Sequence, residues 1–77
     1  MKIFKLHIDC SKCNWIGMAL VAAMSYDAAV NEYVNNGDSG EFVRKGEIVF
    51  TDDSKTPLEG LEFSDTRILC DITVFNS

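Results

Sequence analysis

The sequence predicts a small α+β domain, a mainly antiparallel sheet in the order β-β-α-β-β with one amphipathic helix packed on one face. Three observations carry this expectation. Segments near both ends of the chain alternate apolar and polar residues with the period of a strand. A central segment repeats apolar residues at helical spacing. Between the first strand and that helix lies an apolar run whose two faces are both suited to burial.

The first strand runs from Lys2 to Asp9, with Phe4, Leu6 and Ile8 on one face and Lys5, His7 and Asp9 on the other. Cys10, Ser11, Lys12, Cys13 and Asn14 form a polar break short enough for a hairpin connection. From Trp15 to Met24 the alanines favour helix, while Trp15, Ile16, Leu20 and Val21 suit either state. The strand reading follows from what comes next. Ser25 is a good N-cap and Asp27 falls in a first turn, where negative charge suits the helix dipole, so a helix starts there and something else must precede it. In that strand Ile16, Met18, Leu20, Ala22 and Met24 share one face, and Trp15, Gly17, Ala19, Val21 and Ala23 share the other. A strand apolar on both faces belongs in the middle of a sheet, covered by the helix on one side and by a further layer, such as another subunit, on the other.

The helix is expected from about Tyr26 to Asn36, because Tyr26, Ala29, Val30, Tyr33 and Val34 recur at i, i+3, i+4, i+7 and i+8, and Gly37 supplies a C-cap. Glu41 to Thr51 reads as extended, either one strand or a hairpin turning at Lys45 and Gly46, with Phe42, Ile48 and Phe50 as core candidates. Thr51 to Thr66 reads as a long surface loop with room for a helical turn from Pro57 to Leu61. The last strand opposes Ile68, Cys70, Ile72 and Val74 to Arg67, Leu69, Asp71, Thr73 and Phe75.

The 77 residues form one domain, residues 1–77, and such a chain gains much from additional burial through a metal, a disulfide or a second copy of itself. A net charge of −5 argues against a nucleic-acid or anionic-membrane surface, since Lys2, Lys5 and Lys12 are the only local basic group. The run from Trp15 to Met24 is about half the length needed to cross a bilayer. Three cysteines and the absence of a recognisable export signal lead to an expected cytoplasmic location.

The one motif with chemical meaning is Cys10-Ser11-Lys12-Cys13, since two thiolates so spaced can chelate a soft metal or form a reducible disulfide. Cys70 and His7 are the further ligands within the sequence, although strand alternation sets His7 on the face opposite Cys10 and Cys70. A strand followed by Cys-x-x-Cys and an apolar segment resembles the heavy-metal-associated copper-chaperone domains and the thioredoxin-like redox domains. In both families the second cysteine opens a helix, where this chain is read as a strand. The copper-chaperone pattern also expects Gly-Met-x before the first cysteine, where this chain has His7, Ile8 and Asp9.

His7 and Asp9 share a strand face, yet no Ser or Cys is spaced as their nucleophile, and no catalytic residue or cofactor is assigned. Leu69 and Phe75 on the last strand, with Trp15 on the two-sided strand, are the candidate interface residues, because such side chains are left open on a monomer's sheet. The expectation is therefore a non-enzymatic protein-interaction module that self-associates through its sheet, as a dimer, with room for a further protein partner. The alternative is a thiolate metal-binding protein, holding zinc or copper through Cys10, Cys13 and Cys70, or a thiol-redox protein.

Overall fold

A computed structural model describes residues 1–9 and 15–75; for Asp9, Trp15, Thr73, Val74 and Phe75 it describes the backbone alone. The chain forms β1 (Lys2–Asp9), β2 (Trp15–Ala23), α1 (Tyr26–Asn36), α2 (Gly40–Arg44), β3 (Val49–Phe50), a 3₁₀ turn (Asp52–Lys55) and β4 (Arg67–Phe75). The four strands make one antiparallel sheet in the order β3-β1-β2-β4, with α1 across one face. The α+β architecture is the one the sequence predicts.

The pairing of β1 with β2 builds the core. Phe4 lies opposite Val21, Leu6 opposite Ala19 and Ile8 opposite Gly17, so large side chains on one strand meet small ones on the next. Phe4, Leu6, Ile8, Ala19, Val21 and Ala23 are all buried beneath Ala29 and Tyr33 of α1. Lys5 and His7 on the other face of β1 are exposed, as alternation requires. The apolar run expected as a strand from Trp15 to Met24 is a central strand from Trp15 to Ala23, flanked by β1 and β4, and Met24 lies exposed in the bend before α1.

At the start of α1 the Ser25 hydroxyl accepts a hydrogen bond from the Ala28 N–H at 3.2 Å, and Asp27 sits in the first turn. The helix ends at Gly37, whose N–H donates to the Tyr33 carbonyl at 2.7 Å. Space, not torsion, requires glycine there. Its φ is −83°, open to any residue, but a Cβ would lie 2.5 Å from the Tyr33 ring.

The segment after α1 departs from expectation. In place of a strand or hairpin turning at Lys45 and Gly46, residues Gly40–Arg44 form α2. Glu41 stands in its first turn and Arg44 in its last, both matched to the helix dipole, and Glu41 pairs with Lys45 at 3.3 Å. Gly46, at φ +76°, then turns the chain, and the Glu47 N–H donates to the Phe42 carbonyl at 2.9 Å. The local helix displaces Phe42 from the core: it is exposed, and Val43 packs inward instead. Ile48 and Phe50 keep the places expected of them, Ile48 buried and the Phe50 ring edge-on to Tyr33 with centroids 5.7 Å apart.

The long loop is a strap along the outer edge of β1. Its helical turn lies at Asp52–Lys55, not between Pro57 and Leu61. The Thr51 N–H donates to the His7 carbonyl at 2.9 Å, and the buried Ser54 hydroxyl accepts from the His7 N–H at 2.9 Å. Farther on, Leu58 N–H donates to the Ile3 carbonyl, Glu62 bridges Lys2, and Phe63 exchanges hydrogen bonds with Met1. Backbone groups that a two-residue β3 leaves open are thereby satisfied.

The alternation expected of β4 is broken once. Leu20 faces Cys70 but Val21 faces Ile68, so Leu69 is an extra residue in a β-bulge. Ile68 therefore packs into the core on the helix side, whereas Cys70 and Ile72 share the opposite face with Leu20 and Met18. The sequence pattern, which set Ile68, Cys70 and Ile72 on one face, fails at this bulge.

These packings predict unequal costs for two glycine substitutions. A Cβ at Gly40 would lie 2.3 Å from the Val34 carbonyl oxygen, a backbone atom that cannot swing away, so Gly40→Ala should destabilise the fold by about 2 kcal/mol or more. Gly46 has nothing within 4 Å of such a Cβ and only its positive φ to oppose it, so Gly46→Ala should cost about 1 kcal/mol. Urea titration of both variants measures the difference.

Candidate interaction surface

The two faces of the sheet differ sharply. On the helix side the side chains are buried; on the other side two rows of residues cross the strands in the open. One row is Lys5, Leu20 and Cys70, and the next is His7, Met18 and Ile72, with Ile16 beyond them on β2. Ile16 is 52% exposed and Ile72 47%, and Met18, Leu20 and Cys70 are half-buried only by one another and their neighbours. Between His7, Ile16, Gly17, Met18 and Ile72 lies a shallow, mainly apolar depression of ≈ 130 Å³. At the other end of the same face, near the strap, Ile3 and Ala22 are buried. There Arg67, opposite Ala22, sets its guanidinium 5.5 Å from the centre of the Phe63 ring.

The residues singled out from sequence fall into three groups. Leu69 is the bulged residue of β4 and is half-buried, so it is not the regular outward-facing position that simple alternation implied. Trp15 and Phe75 are Cα partners at the far end of the β2–β4 ladder, and their side chains lie outside the described residues. Cys10 and Cys13 also lie outside the described residues, while Cys70 is a free, half-buried thiol opposite Leu20. The bulge moves Cys70 onto the face that carries His7, reversing the expected separation of the two. They remain on strands separated by β2 and in successive rows. Among the described residues no cluster of three His, Cys, Asp or Glu side chains could hold a metal ion.

Alternation missed one polar cluster. Past the bulge, Asp71 faces the helix side, where Oδ1 accepts a hydrogen bond from the Tyr33 hydroxyl at 3.4 Å and Oδ2 accepts from the Asp38 N–H at 2.9 Å. One carboxylate thus ties β4 to the last turn of α1 and to the link into α2. Burial pushes the Tyr33 phenol above its usual pKa; a hydrogen bond with Ser39 works against that shift and the negative charge of Asp71 adds to it. Tyr33 is buried and Asp71 half-buried, and the two contacts fix the helix on the sheet. Tyr26, edge-on to Phe4 at 6.3 Å, is likewise raised, chiefly by burial.

No protein-family description, no curated protein and no solved structure matches this chain. Among the described residues no helix is long and apolar enough to cross a membrane.

The buried phenol predicts an alkaline limit to stability. A tyrosine whose pKa is raised on folding holds its proton more tightly in the native state, so its contribution is complete below the unfolded value of 10.0 and is lost as pH climbs through the higher native value. Denaturation midpoints should therefore fall above about pH 10, and Tyr33→Phe should lessen that fall while leaving the share due to Tyr26.

Proposed function

We propose that this protein is a non-enzymatic interaction module that self-associates through its sheet. The observation that carries the reading is the uncovered apolar face, with Ile16 and Ile72 about half exposed on adjoining strands and Met18, Leu20 and Cys70 between them. Adjacent apolar residues on one face of a sheet are the usual mark of a surface that is covered in the working state. The side opposite the helix is the remaining side on which a further layer can be added, and a second copy of the chain supplies a matching apolar layer. The charge distribution suits this: among the described side chains of the open face, Lys5 and His7 stand on β1 at the margin of the apolar rows and Arg67 lies at the far end beside Phe63.

Sedimentation equilibrium at micromolar concentration should show association beyond the monomer. Ile72→Asp should weaken that association by about 10- to 100-fold, the equivalent of losing one buried aliphatic side chain, and should leave the monomer folded because Ile72 lies outside the core. A wild-type chain that remains monomeric at these concentrations contradicts the reading.

A further inference from the structure

The sheet has two outer edges, and the fold treats them differently. Along β1 the strap supplies a partner at Ile3 and at both backbone groups of His7, with bridges at Lys2 and Met1. Along the outer side of β4, a strand of nine residues, no backbone partner is present among the described residues. The devices that normally blunt such an edge are also sparse. Arg67–Phe75 contains no proline and no lysine, and its bulge sits at Leu69, leaving Cys70 to Phe75 in regular register with β2.

A row of unpaired N–H and C=O groups accepts one kind of occupant, another extended strand. Three considerations select a second copy of β4. An antiparallel pair about a two-fold axis near Ile72 or Thr73 is self-complementary in its hydrogen bonds. Asp71, the only charged residue after Arg67 in this strand, then lies opposite Thr73 or Phe75 and not opposite its own mate, and its carboxylate is already engaged by Tyr33 and Asp38. The third consideration is area. The open face spans three strands over the stretch from Ile16 to Leu20, a projected area of roughly 250 Å² at about 4.8 Å per strand and 3.3 Å per residue. A stable interface needs about 800 Å² from each partner, so one protomer's face falls well short, and two merged faces at roughly 500 Å² approach that size only with the edge contact added.

We propose that β4 pairs antiparallel with β4 of a second copy, joining two sheets into one of eight strands. The two open faces then merge into a surface about twice as large, which stacks on that of another such pair with the helices outermost. Two distinct isologous contacts, edge and face, close as a tetramer of 222 symmetry. The inference rests on the self-association proposed above and adds the surface and the stoichiometry.

Native mass spectrometry combined with residue-resolved amide exchange by NMR tests it on the unaltered chain. The expected result is a tetramer, with alternate amides between Cys70 and Phe75 exchanging at least about tenfold more slowly in the assembly than after dilution to monomer. A face-to-face dimer whose β4 amides exchange as fast as those of the monomer overturns the edge pairing and leaves self-association standing. A monomer throughout overturns both, and leaves the β4 edge to a strand from a different protein.

Discussion

The structure depends on a mismatch of supply: the four-stranded sheet has two faces and the chain has one substantial helix. Everything apolar that α1 can cover lies on one side. Tyr33 stands at the centre of that arrangement. Its ring packs edge-on against Phe50, its hydroxyl reaches Asp71, its carbonyl receives the Gly37 N–H, and its ring leaves no room for a side chain at Gly37. One residue thus sets how α1 lies on the sheet, where it ends and how the chain leaves toward α2. Once α1 is committed to that side, Ile16, Met18 and Leu20 of β2 have no layer of their own, whereas Ala22 at the strap end is buried.

Much of this was legible in the sequence, because it rests on local periodicity and capping. The alternation of Phe4, Leu6 and Ile8 with Lys5 and His7 gives β1 and its inward face directly. The strand that ends at Ala23 is not fixed by its own residues, which are ambiguous; Ser25 and Asp27 mark a helix start and so bound whatever precedes it. The α+β class and the order of the main elements follow from those two inferences.

What was not legible is non-local. Nothing in Arg67–Phe75 announces that Leu69 is an extra residue; the bulge exists in the pairing with Leu20 and Val21, not in β4 alone. That single residue reverses the faces of the strand, sends Asp71 beneath the helix and Cys70 to the open side, and so changes which residues the uncovered surface contains. The pattern of Glu41 to Thr51, with Phe42, Ile48 and Phe50 as core candidates, suits extended structure, whereas end charges and the packing of Gly40 on the end of α1 favour a short helix at Gly40–Arg44. The strap was similarly hidden, since its partners in β1 lie some 50 residues away along the chain, as His7 and Ser54 do at a separation of 47.

The functional account therefore rests on the side of the sheet that the chain does not cover for itself. Methyl NMR with a soluble paramagnetic agent tests it most directly, by comparing the Ile16 and Ile72 methyl groups with those of the buried Leu6. In concentrated protein the account predicts that Ile16 and Ile72 are shielded nearly as well as Leu6, and that the shielding is lost on dilution. Ile16 and Ile72 methyls equally accessible to the agent at every concentration would contradict it.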